Sequence, residues 1–208
     1  MEQVPPVSDE PHELGPTWDE LAEMTLRAIQ EGVTADEPGP VPLGEHVLLA
    51  VGVADGYASV IMMRRDCEDD MTLLYDTYFL AQDETGRWRP PGGSGASAFP
   101  EWVLHRLERG AEYRHWRESE LVLLGGQWGF LGCAWVTDLT VMASRRVIEV
   151  SIAYGKREFR RPVPPNGVVT VPTLAGAVGQ VAHFVAYDQA GVKIGEAEYQ
   201  PVDSYICR

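Results

Sequence analysis

The sequence of 208 residues is poor in the features that mark secreted and membrane proteins. It has three cysteines, Cys67, Cys133 and Cys207, and an odd number without a recognisable spacing argues against a disulfide framework. The longest apolar stretch, residues 121–136, is interrupted by glycines and a glutamine and is too short to span a bilayer. Residues 1–13 lack the basic and apolar regions of a secretory signal. We therefore expect a cytoplasmic protein that does not associate with membranes.

Basic residues are also scarce, because 17 Lys and Arg face 31 Asp and Glu, which gives a net charge of -14. This charge disfavours binding to nucleic-acid phosphates and to anionic membranes. The acidity is concentrated in residues 1–86, whose net charge is -16, whereas residues 87–119 carry +2 and residues 120–208 are neutral. The sequence therefore predicts that a partner, if it is a protein, is basic.

Residue spacings typical of catalytic or metal sites are absent from the sequence. The histidines show neither HxH nor HExxH spacing, so nothing indicates a zinc site. The glycine-rich residues 92–95 lack both the Gly-Lys-Ser/Thr ending of a phosphate loop and the Gly-x-Ser-x-Gly spacing of a nucleophile elbow. We assign no catalytic residue and expect no cofactor. The five histidines are His12, His46, His105, His115 and His183.

The densest group of chemically active side chains is the acidic loop, residues 66–70. Its carboxylates Asp66, Glu68 and Asp70 are candidate oxygen ligands for Ca²⁺ or Mg²⁺. The alternation and central glycine of a calcium-binding hand are absent, so a solvated loop between two strands is the favoured interpretation. Cys67 is a poor candidate nucleophile because the neighbouring carboxylates disfavour its thiolate.

The N-terminal half combines helix and strand patterns. Residues 1–15 are rich in proline and acidic residues and predict a disordered acidic tail. Thr17 followed by Glu20 forms a capping box that begins a helix, and Gly32 is placed to end it. Alternation, the hairpin signal Asp55-Gly56 and a Pro-led helical pattern then predict three strands and a second helix. These elements are expected at residues 46–54, 57–63, 71–82 and 99–110.

The last ninety residues are typical of an all-β fold, with short strand candidates separated by turn signals. Their alternation slips near Gly195, which predicts a β-bulge. The sequence as a whole therefore predicts an α+β fold, with an N-terminal helix and curved antiparallel sheet followed by an immunoglobulin-like sandwich. The expected divisions are a tail at 1–15, a cone-like domain at 16–118, a sandwich at 119–203 and a C-terminal tail at 204–208.

A helix, a hairpin and a long alternating strand that ends in Asp-Glu-Thr-Gly-Arg-Trp-Arg, residues 83–89, precede a glycine-rich loop. This order resembles the cystatin-like cone of nuclear-transport-factor-type folds over residues 17–98. The two-part layout resembles that of uncharacterised bacterial proteins with a cystatin-like half and a β-sandwich half. Some members of the superfamily use a pocket Asp and His pair on small ligands, but no such pair can be matched here, and no functional residue is carried over.

Arginine and aromatic residues are interleaved between residues 87 and 117. Such a stretch can stack on nucleic-acid bases, which the net charge disfavours. An interaction junction with the acidic first 86 residues or with a partner, through ion pairs and cation–π contacts, is the stronger interpretation. A solvated helix face is the alternative. The junction candidates are Arg87, Trp88, Arg89, Arg106, Arg114 and Trp116.

Two functional hypotheses from different classes follow. The first is a non-enzymatic binding or regulatory protein, of inhibitor or immunity type, that presents an acidic face to a basic partner. The second is a small-molecule-binding or catalytic cone with an apolar pocket in residues 17–98, where His46 beside Glu45 could act as acid and base. The candidate pocket residues are Trp18, Leu21, His46, Tyr75, Tyr78 and Phe79.

Overall fold

The computed structural model describes residues 15–33, 41–65, 72–89, 91–93, 97–99, 119–176 and 179–200. These ranges hold one α-helix and thirteen β-strands in three antiparallel sheets. Residues 1–14 of the tail predicted at 1–15, the second helix predicted at 99–110 except its first residue, the acidic loop at 66–70 and the tail at 204–208 lie outside them.

The helix α1 spans Trp18–Glu31 and begins and ends where the sequence predicts. The backbone N–H and the hydroxyl of Thr17 donate to the Glu20 carboxylate, at 2.7 Å and 2.8 Å, and the Glu20 N–H donates to the Thr17 hydroxyl. Gly32 closes the helix with a positive φ of 70° and donates its N–H to Ala28. The capping box and the C-cap are confirmed.

The N-terminal sheet is a meander of five strands in the order β1-β2-β3-β4, with β5 also paired to β3. Asp55 and Gly56 both adopt positive φ, as the predicted two-residue hairpin between β1 and β2 requires. Its strands are β1 Val47–Ala54, β2 Tyr57–Arg65, β3 Leu73–Ala81, β4 Gly92–Gly93 and β5 Ser97–Ala98.

Two further sheets follow, which we call the central and outer sheets. The central sheet has the order β11-β8-β6, with β7 paired to β8, and the outer sheet has the order β10-β9-β12-β13. The register of β12 and β13 shifts between Gly195 and Lys193, which confirms the predicted bulge. Central strands are β6 Leu121–Gly125, β7 Trp128–Leu131, β8 Ala134–Ala143 and β11 Val168–Leu174. Outer strands are β9 Glu149–Tyr154, β10 Arg157–Pro162, β12 Ala182–Tyr187 and β13 Lys193–Tyr199.

The elements stack in four layers: α1, the N-terminal sheet, the central sheet and the outer sheet. An apolar core lies between each pair of neighbouring layers. The helix core joins Leu21 and Ala28 to the β2 and β3 side chains that face α1. The middle core joins the opposite face of the N-terminal sheet to the central sheet, and the third core fills the sandwich of central and outer sheets. Residues 136–143 of β8 are all buried because both faces of the central sheet are covered.

Direct contacts lock the N-terminal sheet to the central sheet. A Cβ added at Gly52 would lie 2.2 Å from the carbonyl oxygen of Thr170, so only glycine allows strands β1 and β11 to approach this closely. The Ser59 hydroxyl lies 3.2 Å from the Thr170 hydroxyl, and the Asn166 amide donates to the Leu49 carbonyl at 2.6 Å. The two halves of the chain therefore share one buried interface.

The expected α+β class is wrong, because the described residues are mostly β with one short helix and three antiparallel sheets. The physical reason is the second apolar face of the N-terminal sheet. That face packs against the central sheet, so the sheet is one layer of a β stack to which α1 adds a single cover. No helix in the described ranges is both long and apolar enough to cross a membrane.

Candidate functional site

The six predicted pocket residues do not come together, because they lie on two faces of the N-terminal sheet and at its rim. Leu21 and Tyr78 belong to the core beneath α1. Tyr75 packs on the opposite face, with its ring 4.8 Å from that of Phe99. The ring of Phe79 is fully buried against Gly129. Trp18 is 51% exposed, and His46 lines the cleft described next.

A cleft of about 460 Å³ opens between the first turns of α1 and the segment that precedes β1. Three glutamates, one arginine and one histidine line it, together with the apolar side chains of Pro16 and Met24, so carboxylates outnumber guanidinium groups. We call it the helix cleft. Its lining residues are Gly15, Pro16, Glu20, Glu23, Met24, Arg27, Gly44, Glu45 and His46.

Local structure explains why these residues meet. Glu20, Glu23 and Arg27 are spaced by three and four residues and therefore share one side of α1. The opposite wall is a turn that precedes β1, in which Gly44 has a φ of 79° and the Glu45 N–H donates to the Pro42 carbonyl at 3.2 Å. The helix and this turn thus form the two walls.

The carboxylate of Glu20 is held in its ionised form. The backbone N–H of Thr17, and next the Thr17 hydroxyl, donate to it and lower its pKa below the usual value. This glutamate also stabilises the first turn of α1, so its charge serves the helix as well as the cleft.

His46, which lines the cleft, also contacts a largely buried ion pair. Its Nε2 lies 3.6 Å from Oδ2 of Asp76, and Nε of Arg64 donates to the same oxygen at 2.8 Å. The side chains of His46 and Asp76 are each 10% exposed, and that of Arg64 is 26% exposed. Nδ1 of His46 is buried and has no hydrogen-bond partner among the described residues. Burial, and next the charge of Asp76, raises the pKa of Tyr78 to about 12.

Sequence reasoning placed His46 beside Glu45 and missed Asp76 and Arg64. The charged contact of His46 in the structure is Asp76, whereas Glu45 is exposed. The signal for Asp76 was present, because an aspartate in the middle of the apolar strand β3 needs a partner when it is buried. Its partner Arg64 is a diagonal neighbour on β2, two residues beyond Met62, which pairs directly with Asp76. Arg64 and Asp76 therefore share the face of Met62, which points towards α1.

A second polar cluster is buried at the edge of the middle core, around Asp138 of β8. Asp138 is 1% exposed and accepts the Gln127 N–H and the Thr140 hydroxyl, each at 2.5 Å. Desolvation raises its pKa to about 6, and these hydrogen bonds oppose the rise. Burial, and after it the charge of Asp138, raises the pKa of Tyr75, and burial is likewise the main cause for Tyr199, whose hydroxyl accepts the Gly126 N–H.

No family model, curated protein or solved structure matches this chain. Its chemistry therefore has to be inferred from its own residues. In the ranges that the structure describes, no group of three or more His, Cys, Asp or Glu side chains is placed to hold a metal ion. The weak candidate ligands Asp66, Glu68 and Asp70 lie outside these ranges.

The predicted junction is described only in part. Arg87 and Arg89 are exposed, and Trp88 is half-buried against the core beneath α1. The junction candidates Arg106, Arg114 and Trp116 lie outside the described residues. In the described part of the junction, the two arginines therefore lie on the surface and the tryptophan packs against the core beneath α1.

The hairpin of β7 and β8 presents an apolar tip. Phe130 is 54% exposed and Trp135 is 37% exposed, and their rings pack with centroids 5.1 Å apart. Cys133, next to Gly132 in the turn, is exposed and has no disulfide partner among the described residues. This tip lies on the central sheet, whereas the helix cleft lies beyond the N-terminal sheet.

Proposed function

We propose that this protein is a non-enzymatic, cytoplasmic binding or regulatory protein that presents an acidic face to a basic protein partner. The observation that carries the proposal is the outer side of α1, where four exposed carboxylates face one exposed guanidinium, that of Arg27. Glu45 extends the same charge across the helix cleft. The exposed carboxylates of α1 belong to Asp19, Glu20, Glu23 and Glu31.

An exposed aromatic side chain accompanies these charges. Trp18 opens α1, is 51% exposed, and packs one edge near Tyr78, with ring centroids 6.4 Å apart. Tryptophan and arginine are frequent anchors of protein interfaces, and complementary charge speeds association and selects the partner. A tryptophan flanked by carboxylates fits a surface that carries Lys or Arg side chains.

The experiment compares two variants that each remove two charges. Asp19→Asn with Glu31→Gln alters the acidic face of α1 outside the cleft, and Glu158→Gln with Glu198→Gln is the matched control on the outer sheet, where both side chains are exposed. Each protein is used to capture basic proteins from lysate at low and at high salt.

We expect a protein that the native chain and the outer-sheet control capture at low salt, that the helix variant captures poorly, and that high salt releases. Equal capture by the two variants would refute the proposal, and so would capture that does not depend on salt. Circular dichroism of each variant checks that α1 and the sheets are retained.

The small-molecule hypothesis finds less support in the packing. An apolar pocket between α1 and the N-terminal sheet needs space there, but Leu21, Tyr78 and Leu80 fill that layer as buried core. The helix cleft is instead lined mainly by charged side chains. Binding of a neutral apolar ligand, followed by tryptophan fluorescence, would favour this alternative over the acidic face.

A further inference from the structure

We propose that the helix cleft is a receptor for one arginine side chain of the basic partner. The inference rests on the proposed function and assigns the cleft a chemical preference that the proposed function does not contain. Two observations support it: the carboxylates that line the cleft, and the largely buried imidazole of His46, which also lines the cleft and whose Nδ1 has no hydrogen-bond partner among the described residues.

The size and lining of the cleft suit a long basic side chain. Its volume of about 460 Å³ falls within the range typical of small-ligand sites. Pro16 and Met24 offer apolar surface to the methylene stem of an arginine, which packs against such groups while its charged end stays polar.

The carboxylates supply the charge complement. Glu20 already accepts two hydrogen bonds from Thr17 through Oε2. Glu23 on the helix and Glu45 on the opposite wall are therefore the carboxylates that we assign to the incoming group. Arg27 also lines the cleft and opposes a second cation, but the three glutamates leave the lining net negative.

His46 distinguishes arginine from lysine. Its Nε2 lies 3.6 Å from the Asp76 carboxylate, and the tautomer that carries its hydrogen on Nε2 is the one the proposal requires, because it leaves Nδ1 as a hydrogen-bond acceptor. Asp76 is itself fixed by the Nε–H of Arg64, which donates to the same carboxylate oxygen that lies nearest to the imidazole. A guanidinium carries five donors in a planar fork and can reach a carboxylate and Nδ1 together, whereas an ammonium is a compact point charge.

Access to Nδ1 requires a local movement. The atom is closed to solvent in this structure, so the donor reaches it only when the His46 ring or the turn at Gly44 shifts. Backbone amides of Gly44, Glu45 and His46 should therefore respond to binding more strongly than those of the exposed side of α1.

The test is a ¹H–¹⁵N titration of the full chain with three capped tripeptides, Gly-X-Gly, in which X is arginine, lysine or citrulline. We expect saturable shifts centred on residues 44–46 for arginine, with a dissociation constant of roughly 1 mM, as a single side chain allows. Lysine should bind roughly tenfold more weakly, the factor that the loss of one charge-assisted hydrogen bond produces. Citrulline, which has the shape but not the charge, should give no saturable shift.

Variants test the assigned residues. Glu45→Gln and His46→Phe should each weaken arginine binding by roughly tenfold, and His46→Gln, which restores an acceptor, should recover part of it. Arg27→Gln should strengthen binding. His183→Phe on the exposed face of β12 is the control and should change nothing. Native-like amide spectra of each variant exclude a folding defect.

Equal affinities for arginine and lysine, or shifts confined to the outer side of α1, would overturn the inference. That outcome is separable from failure of the proposed function, because Asp19→Asn with Glu31→Gln leaves every residue that lines the cleft unchanged. A partner lost from that variant but bound equally by the Glu45 and His46 variants supports the acidic face and refutes the arginine receptor.

Discussion

Replacement of Asp138 by asparagine tests whether the buried carboxylate makes the stability of the fold depend on pH. Its pKa of about 6 in the folded chain is well above the usual value of 3.8, because burial disfavours the charged form. Because the pKa of the Asp138 carboxyl is higher in the folded than in the unfolded chain, the carboxyl contributes its full stability below the unfolded pKa. That contribution is lost as the pH rises through the folded pKa. The window therefore runs from about pH 4 to pH 6.

The magnitude follows from the size of the shift. A rise of roughly two pKa units corresponds to a loss of about 3 kcal/mol across the whole window, at 1.36 kcal/mol for each unit. Between pH 5 and pH 8, where the unfolded carboxyl is already ionised, the Asp138 contribution is about 1.4 kcal/mol. For a chain of this size that corresponds to a change in melting temperature of roughly 3 to 6 °C.

Asparagine fits the same hydrogen bonds with one reversal. Its oxygen can accept the Gln127 N–H, and its amide nitrogen can donate to the Thr140 hydroxyl, whose single proton then turns to the Thr170 hydroxyl 2.9 Å away. The variant should therefore keep the fold and lose the titration, so its stability relative to the native chain should increase as the pH rises.

The assay is urea unfolding followed by tryptophan fluorescence at half-unit steps between pH 5 and pH 8. Other groups titrate in this range, so the informative quantity is the difference between native and variant free energies of unfolding at each pH. Glu84→Gln, an exposed carboxyl in the turn after β3, is the control and should leave that difference flat. A flat difference for Asp138→Asn as well would refute the reasoning.

Three further predictions concern stability and thiol chemistry. Gly52→Ala should lower the free energy of unfolding by about 3 kcal/mol, because its Cβ would lie 2.2 Å from the Thr170 carbonyl oxygen. Gly92→Ala should cost less in the same urea titration, because its nearest Cβ contact is a side-chain methyl at 3.2 Å. Thr17→Ala should lower the free energy of unfolding by about 1 kcal/mol, because it removes the N-cap of α1. Thermal melting measures this change, and an unchanged melting temperature would contradict the role of the cap. Cys133 should react with a maleimide in the native protein, and peptide mass spectrometry that finds it unlabelled would contradict its exposure.

Local signals in the sequence were sufficient for individual elements. The Thr17 and Glu20 capping box, the Asp55-Gly56 hairpin and the slip near Gly195 depend on contacts between close neighbours in the chain, and each is found in the structure. Both partners of such a contact lie within one short segment, so the sequence is enough to predict it.

Prediction of the order of the layers needs contacts between residues that are far apart in the sequence. The run of apolar residues in β2, in which residues 58–63 are all buried, indicates a strand covered on both faces, but it does not say what covers them. The helix covers one face and the central sheet the other. The Asp76 and Arg64 pair was missed for the same reason, because strand register brings together residues that the sequence separates.

The contact between β1 and β11 has a consequence for synthesis of the chain on the ribosome. Leu49 and Asn166 are 117 positions apart, and Ser59 and Thr170 are 111 positions apart. At roughly 5 to 20 residues per second, β11 emerges several seconds after the N-terminal sheet is complete.

During that interval the face that carries Leu49, Ile61 and Met63 lacks the cover that β11 gives it in the folded chain. A nascent chain with an open apolar sheet is a target for chaperones and is prone to aggregation. Slower translation of the region between the two sheets would lengthen this exposure. The yield of native protein should therefore respond to translation speed in this region more than to speed in the codons that follow β11.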